Sequence, residues 1–358
     1  MTTRDDEVPG LRLCTGPDDP RLHDVDTEFR ELVAAFSAVT ASGRETRRRL
    51  FHGRAAVLRG TLRFVDAPGV PVHPFLAAGR SHPVLARYSS GMSPDDLVPG
   101  VRGVSLRWLD PEDPTEPGRS PFALTLNTGP RLFVRDPAAF VAFALTDATG
   151  RAELVRTLPD DTAALLWEQV RDGALGLDRH HYHSQVPRVL VDATGRPWLV
   201  RYRLVPGADV PDTAHPEPGG RPLPPAGLER DPADPRPPTA LRDDLSRRAE
   251  QGGVRALLQL QLHPLGADAD ANLAAVVPTR SWPEPEYPFR TVGELVLDEV
   301  VDEAVAEPAL FDPAVAPEGL GITLGRSPRE PAAVHHARSL IYRAAHAVRT
   351  EHLVPGHG

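Results

Sequence analysis

Hydrophobic residues recur at helical spacing near both ends of the chain. In residues 27–40 the apolar positions that share one face are Phe29, Leu32, Val33 and Phe36. A longer amphipathic pattern covers Ala332–His352 and follows Ser327-Pro328, and proline is common at the start of a helix. These spacings predict an amphipathic helix at each of the two positions.

Short β-type runs broken by glycine and proline occupy residues 50–135. They are Ala55–Phe64, Pro83–Ser89, Gly103–Leu109, Phe122–Leu126 and Leu132–Arg135. Further along, Val186–Asp192 and Trp198–Val205 flank a turn and predict a hairpin. Val254–His263 alternates apolar and polar positions, and Val292–Leu297 is another β-type run. Short strands at this spacing predict a largely antiparallel sheet or barrel.

The segments between these strands have helical or loop character. Residues 138–175 and Leu241–Gln251 have helical patterns, and the second ends at Gly252-Gly253. Residues 206–238 and Pro278–Phe289 are rich in proline, which predicts loops that wrap the surface and contribute little to the core.

Composition excludes several kinds of site. All 40 basic residues are arginine, so the chain has no lysine for a Schiff base, a pyridoxal phosphate anchor or a phosphate-binding loop. The single cysteine, Cys14, excludes an intramolecular disulfide, a zinc site built on cysteines and an iron–sulfur cluster. Catalysis therefore has to use His, Arg, Tyr, Asp, Glu, Ser or Thr.

Charge and hydropathy limit the partners. The net charge of −9 argues against general nucleic-acid binding, which needs a basic surface. No stretch approaches 18 consecutive apolar residues, and the chain starts with polar and acidic residues. We therefore expect a soluble, cytoplasmic protein without stable membrane insertion, acting on a small molecule.

The predicted C-terminal helix carries the most informative side chains. Arg338, Tyr342, His346 and Arg349 are spaced so that they share one stripe of that helix. A guanidinium one turn from a phenol can stabilise the phenolate, and tyrosinate is one of the few protein ligands of haem iron. Arg349 could pair with a haem propionate in a two-pronged geometry. Alone, such a stripe more often means a buried tyrosine beside solvated arginines.

Two further segments carry candidate chemistry, although each is ordinary in isolation. Arg47-Arg48-Arg49 precedes His52, an arrangement typical of a charged surface turn. Asn127-Thr128-Gly129-Pro130 stands between two β-type runs and is typical of a turn.

Together, these segments follow a recognisable order and spacing. The matching positions are His52 with Gly60, Pro83–Ser90, Arg102–Trp108, Asn127–Pro130, Leu132–Pro137, Phe140, Trp282-Pro283, Val292–Leu295, and Arg338 with Tyr342, His346 and Arg349. In this order they resemble the haem-dependent catalase family over roughly residues 45–352. The resemblance implies an α+β fold, with a catalase-like antiparallel β-barrel, a wrapping segment and helices. It also implies haem b buried between the barrel and the C-terminal proximal helix.

The resemblance divides the chain into three parts. An N-terminal helical segment would take residues 1–45, the haem domain residues 46–352 and a tail residues 353–358. Within the haem domain, the barrel would occupy about 50–265, and the wrapping segment and proximal helix about 266–352.

The resemblance also implies which residues hold the haem. The cofactor-binding positions are Arg49, Arg87, Phe140, Arg338, Tyr342, His346 and Arg349. Among them, Tyr342 would ligate the iron and Arg338 would keep it as phenolate. The other three arginines would bind the haem propionates, and Phe140 would lie over the haem face.

Three catalytic positions are implied on the distal side. His52 would be the acid–base group that moves a proton between the two oxygens of a bound peroxide. Asn127 would orient and polarise that peroxide. Ser89 would hydrogen-bond the imidazole of His52 and fix its tautomer.

The chain also departs from the family pattern. The residue before the distal histidine is usually valine, and the bulkier Phe51 should narrow or re-aim the channel above the iron. After Tyr342 the family usually continues Pro-Asp-Thr-His-Arg, whereas residues 343–347 read Arg-Ala-Ala-His-Ala. The chain ends at Gly358, just past the proximal helix, which puts the interlocked tetramer and the nucleotide site of full-length catalases in doubt. A homodimer is the expected assembly.

The middle of the chain is more similar to the short allene oxide synthase branch. That branch keeps the catalase fold but rearranges fatty-acid hydroperoxides. The segments that carry this similarity are His181–Pro187, Val200–Pro206 and Leu241–Leu262.

These resemblances lead to one expected function and three alternatives. We expect a haem-dependent oxidoreductase that activates hydrogen peroxide or an organic hydroperoxide, with peroxidase or hydroperoxide-transforming activity. The alternatives are a true catalase that disproportionates hydrogen peroxide, an allene oxide synthase-like dehydratase or specialised biosynthetic haem enzyme, and a non-catalytic haem binder.

Overall fold

The computed structural model describes residues 7–41, 49, 51–91, 93–113, 120–159, 161–207, 210–216, 218 and 228–350. The strands are β1 Glu7–Val8, β2 Leu11–Cys14, β3 Ala55–Phe64, β4 Ser81–Ser89, β5 Gly100–Val101, β6 Gly103–Trp108, β7 Ala123–Thr128, β8 Val170–Arg171, β9 Tyr182–His183, β10 Arg188–Val191, β11 Pro197–Pro206, β12 Val254–Pro264, β13 Arg290–Val301 and β14 Leu320–Leu324. The helices are α1 Thr27–Ala41, α2 Pro137–Leu145, α3 Ala148–Thr157, α4 Thr162–Gln169, α5 Ala240–Gly252, α6 Ala269–Ala275, α7 Glu303–Ala306 and α8 Val334–Thr350.

Eight strands close into an antiparallel barrel. Their order is β9-β11-β12-β13-β3-β4-β6-β7, and β7 pairs with β9 to complete the ring. Strand β11 also pairs with β10 through its first residues, and β10 leads through β14 to β2 and β1. The predicted α+β fold with an antiparallel barrel is therefore confirmed.

Alternation along the strands fills the interior of the barrel. In β12, Leu258 and Leu260 are fully buried, whereas Gln259 between them is half-buried. Large rings occupy the same core, where Trp108 and Phe122 meet edge to face with centroids 4.9 Å apart. The barrel is therefore packed with side chains.

A glycine allows β3 and β13 to curve past each other. The pairing of these two strands shifts register between Leu297 and Glu299, and Gly60 is the partner of Leu297. A Cβ atom placed on Gly60 would lie 1.9 Å from the carbonyl oxygen of Val296. Only glycine permits this close approach at the bulge.

Helices α1, α2 and α8 pack together outside the barrel. Helix α1 lies against α8 and α2, and the shared apolar cluster includes Phe29, Phe36, Val141 and Ile341. The ring of Phe29 meets the buried His336 ring of α8 edge to face, with centroids 5.0 Å apart. The N-terminal helix therefore supports the helix that carries Tyr342. No helix in the described ranges is long and apolar enough to span a bilayer.

One local prediction was wrong. Leu132–Arg135 forms no strand, because Leu132, Phe133 and Val134 are buried against Leu165 and Val334 instead of pairing with a strand. The helical pattern of residues 138–175 is present as predicted, as three helices followed by β8. Asp136 and Asp147 each accept a hydrogen bond from a backbone N–H in the first turn of a helix, which breaks this region into separate helices.

We predict that Gly60→Ala lowers the free energy of unfolding by about 3 kcal/mol, because the new methyl group meets backbone atoms that cannot rotate away. Gly266→Ala is the matched control, since no atom lies within 4 Å of its added Cβ, and it should change stability by less than about 0.5 kcal/mol. Chemical denaturation of both variants checks this. Equal stabilities would contradict the packing assigned to the bulge.

Candidate functional site

A cavity of about 1340 Å³ brings the predicted site residues together. It is lined by β4, β6 and β7 of the barrel and by α1, α2 and α8 outside it. The predicted residues that line it are Arg49, His52, Arg87, Ser89, Asn127, Phe140, Arg338, Tyr342 and Arg349. They come from segments far apart in the chain, so the fold assembles the site.

Three adjacent strands place the distal residues at one level. In the β4–β6 pair Ser89 is opposite Gly103, and in the β6–β7 pair Gly103 is opposite Asn127. The Oγ of Ser89 lies 2.9 Å from Nδ1 of His52 and 3.3 Å from the carbonyl oxygen of Gly103, to which it can donate. In that arrangement Nδ1 of His52 donates to Oγ, and Nε2 is left as the proton acceptor.

Gly103, which lies between Ser89 and Asn127 on these three strands, has to be small. A Cβ atom on Gly103 would lie 2.8 Å from Cε1 of His52 and 3.2 Å from Oδ1 of Asn127. The glycine therefore makes room for both functional side chains, which close over it from two sides.

The backbone of His52 is held in an unusual conformation. Its φ of 54° lies in the left-handed region, which is uncommon for a residue with a side chain. Two hydrogen bonds hold it there. The backbone N–H of His52 donates to the carbonyl of Gly91 at 2.7 Å, and Nη1 of Arg87 donates to the carbonyl of His52 at 2.5 Å.

Burial keeps the imidazole of His52 neutral. Removal from water, with a smaller contribution from the positive charges of Arg87, Arg102 and Arg338, lowers its pKa to about 4. At neutral pH His52 is therefore an uncharged base with a fixed tautomer.

Helix α8 supplies Arg338 and Tyr342 to the same cavity. Arg338 makes no hydrogen bond or ion pair with any residue that the structure describes, and it lines the cavity one turn before Tyr342. The ring of Tyr342 packs on the apolar cluster between α1, α2 and α8. Among the described residues no group of three or more His, Cys, Asp or Glu side chains could hold a metal ion.

Three arginines of the cavity wall meet two carboxylates. Nη2 of Arg87 lies 3.2 Å from Oε1 of Glu303, and Nη1 of Arg49 lies 3.1 Å from Oε1 of Glu307. Nε of Arg349 is 3.9 Å from Oε2 of Glu307, which is too far for a hydrogen bond. Three positive charges face two negative ones, so the cluster has one uncompensated positive charge.

The same cluster has unused hydrogen-bonding atoms. Nε of Arg87, Nε of Arg349 and Oε2 of Glu307 are buried without a hydrogen-bond partner. Burial and repulsion by Arg49 lower the pKa of Arg87 to about 9 and that of Arg349 to about 10. A buried cationic cluster with free donors suits an anionic group such as a carboxylate.

Phenylalanines form the apolar part of the wall. Phe140 lies between Phe36 and Phe133, with centroids 6.4 Å and 6.0 Å away, and Phe133 contacts Phe143 at 4.8 Å. Phe51, which precedes His52, stacks on Phe36 at 5.8 Å with the two planes 7° apart. The bulky ring expected to reshape the channel thus belongs to this aromatic wall.

One predicted cofactor residue does not face the cavity. His346 is absent from the cavity lining, and its Nε2 lies 2.7 Å from the carbonyl oxygen of Pro308. Helical spacing does not predict this contact, because the hydrogen-bond partner of the His346 ring is a backbone carbonyl in a distant loop. Arg47 and Arg48 lie outside the described residues.

Sequence reasoning missed three residues of the site. Glu303 and Glu307 pair with the cavity arginines, and Gln185 lines the cavity beside Asn127. Gln185 stands in a segment that resembles the allene oxide synthase branch, but this similarity assigned it no role. The two glutamates follow β13 in an acidic run that has the pattern of a solvated segment.

The arrangement can therefore hold and transfer a proton in a largely apolar cavity. His52 offers a neutral imidazole, Asn127 a carboxamide, and α8 a phenol one turn from an unpaired guanidinium. The arginine cluster supplies a binding place for carboxylate groups.

Comparisons with known sequences and structures point to one fold. No family model matches the chain. It is 30% identical over 228 residues to the uncharacterized protein y4iK of Sinorhizobium fredii. This alignment covers 63% of this chain and 96% of that protein. The allene oxide synthase-lipoxygenase protein of Plexaura homomalla is 25% identical over 291 residues, and the catalase of Streptomyces coelicolor is 26% identical over 319 residues. These matches take 79% and 84% of this chain, but 26% and 60% of the two proteins.

Solved structures agree with these sequence matches. A bacterial catalase superimposes with a TM-score of 0.63 at 19% identity, over 84% of this chain and 57% of that one. Catalase A of Saccharomyces cerevisiae gives 0.62 at 18% identity, over 84% and 61%. The chain therefore has the catalase fold and spans about three fifths of the catalases it resembles.

We predict that His52 stays neutral down to about pH 4, because burial and three arginines oppose its protonation. NMR titration of the histidine C2–H signals, with His52 assigned from the signal missing in His52→Gln, checks this. A midpoint near 6.5, the value of a solvated histidine, would contradict the electrostatics described above.

Proposed function

The chain belongs to the same family as protein y4iK of Sinorhizobium fredii, and we propose that it is a haem-dependent enzyme that activates hydrogen peroxide or an organic hydroperoxide. One observation carries the proposal. A neutral, tautomer-fixed His52 and Asn127 line the same cavity as the Arg338–Tyr342 pair of α8. The sequence similarity to a catalase and to an allene oxide synthase-lipoxygenase protein supports it.

The residues of the cavity fit haem b. Its two propionates match the arginine cluster, where Arg49, Arg87 and Arg349 carry more positive charge than the glutamates neutralise and where buried nitrogens have no partner. The porphyrin would contact apolar side chains such as Phe140 and Ile341. Tyr342 would ligate the iron, and the unpaired guanidinium of Arg338 would favour its phenolate.

Bound haem would supply the iron at which a peroxide O–O bond is cleaved. The chain's own residues would handle the proton. Nε2 of His52 would take the proton from one oxygen of the peroxide and deliver it to the other, while Ser89 holds Nδ1 and so keeps the ring oriented. The amide of Asn127 would hydrogen-bond the peroxide, and the phenylalanine wall would limit competing water.

The sequence similarity to an allene oxide synthase-lipoxygenase protein favours an organic hydroperoxide as substrate. Six phenylalanines line the cavity, and its volume of about 1340 Å³ includes the space that haem would occupy. A true catalase is the second candidate, because His52, Asn127, Arg338 and Tyr342 all face the cavity. An allene oxide synthase-like dehydratase is one form of the first candidate. A non-catalytic haem binder would have no use for the distal pair.

We predict that purified protein supplied with haem shows the Soret absorption of ferric tyrosinate haem, and that Tyr342→Phe loses this spectrum because the iron loses its ligand. Tyr287→Phe is the control, since Tyr287 stacks on His263 away from the cavity. Absorption spectra and haem content are the measurements. A wild-type protein that takes up no haem would refute the proposal.

We predict that His52→Ala lowers the rate of peroxide consumption at least about 100-fold, the contribution typical of a positioned acid–base group. His263→Ala, remote from the cavity, should leave the rate unchanged. Oxygen release from hydrogen peroxide and loss of a fatty-acid hydroperoxide are measured side by side. Vigorous oxygen release with an untouched lipid hydroperoxide would select the catalase alternative.

A further inference from the structure

Gln185 lies beside Asn127 and has no part in the proton transfer proposed above. We propose that Gln185 is a positioning residue that holds the carboxamide of Asn127 in the orientation needed to hydrogen-bond a distal ligand. This inference rests on the proposed function, because Asn127 acts there on the bound peroxide.

The side chain of Gln185 is anchored to the turn that follows Asn127. It is 1% exposed, and its Nε2 donates to the carbonyl oxygens of Gly129 and Arg131, both at 3.2 Å, with that of Thr128 at 3.4 Å. These acceptors fix which end of the carboxamide is nitrogen, since an oxygen there would face carbonyl oxygens. The turn and the glutamine therefore hold each other in place.

Because the turn holds Nε2 of Gln185, the amide oxygen Oε1 faces Asn127. Oε1 of Gln185 accepts a hydrogen bond from Nδ2 of Asn127 at 3.4 Å. Because Nδ2 has two hydrogens, one engages Gln185 and the second stays available to a ligand. The Oδ1 of Asn127 is then turned toward Gly103. Without Gln185, both orientations of the Asn127 amide would be open.

The backbone conformation of Gln185 is typical of a functional residue. Its φ is 60°, in the left-handed region, and the other non-glycine residues with positive φ in the described ranges are His52 and Ala214. His52 and Gln185 both line the large cavity. Strained conformations of this kind persist where the surrounding structure over-determines them, and they concentrate at functional sites.

Gln185 also separates two cavities. A second cavity of about 190 Å³ is lined by Gln185, Gln261, His183 and Trp282, among others. A smaller residue at position 185 would join this space to the large cavity. Substitution by methionine is therefore the informative change, because it keeps the volume of the side chain and removes its hydrogen bonds.

The experiment is a double-mutant cycle on cyanide affinity of the haem-loaded protein. Gln185→Met should weaken cyanide binding about fivefold, the effect typical of one neutral hydrogen bond. Asn127→Ala should weaken it as well. In the Asn127→Ala background, Gln185→Met should have no further effect, because a positioning residue acts only through the group it positions.

Gln261→Met is the matched control. Gln261 is another buried glutamine whose Nε2 donates to two carbonyls, those of Trp282 and Tyr287, and it lines only the second cavity. It should lose comparable thermal stability and keep the wild-type cyanide affinity. Gln185→Asn, one methylene shorter, is a second variant that cannot span from the turn to Asn127. It should reproduce the loss, and its comparison with Gln185→Met separates the lost hydrogen bonds from the joining of the two cavities.

The outcomes separate the two proposals. A wild-type protein without a Soret band refutes the proposed function itself. Where the wild type binds haem, unchanged cyanide affinity in both Gln185 variants overturns the inference. It is also overturned if Gln185→Met weakens binding equally with and without Asn127, or if Gln261→Met has the same effect.

Discussion

The register of β4, β6 and β7 is the constraint on which the site depends. It sets Ser89, Gly103 and Asn127 side by side, and His52 lies over the glycine between the other two. A shift of one residue in either pairing would turn one of these side chains to the opposite face of the barrel. The closed barrel protects this register, because each of its strands is paired on both sides.

Burial of charge is the second organising feature. Arg87 is almost fully buried and binds both the carbonyl of His52 and the carboxylate of Glu303. It thus connects His52 to the cluster of cavity arginines, and its charge contributes to the low pKa of His52. Guanidinium groups suit this task because they offer several donors in a fixed plane and stay charged when buried. Buried arginines therefore set the electrostatic environment of His52.

Much of the barrel could be predicted because strand alternation is a local property. Ala55–Phe64 was predicted with the bounds of β3, and the predicted hairpin agrees with β10 and β11 within a few residues. Leu132–Arg135 failed because its apolar residues are buried by helices, and hydropathy does not distinguish that environment from a sheet. The site residues came from spacing and resemblance, and His346 shows the limit of that approach, since its ring binds a backbone carbonyl outside the cavity.

By itself, the sequence indicated seven of the eight barrel strands, all except β9, and the helix bearing Arg338 and Tyr342. These follow from periodicity and side-chain type, which are properties of short segments. The tertiary structure alone decided which distant groups meet. Glu307 pairs with Arg49 across 258 residues, and Gln185 meets Asn127 across 58. No local pattern encodes such contacts, because they exist only once the barrel closes and the helices pack against it.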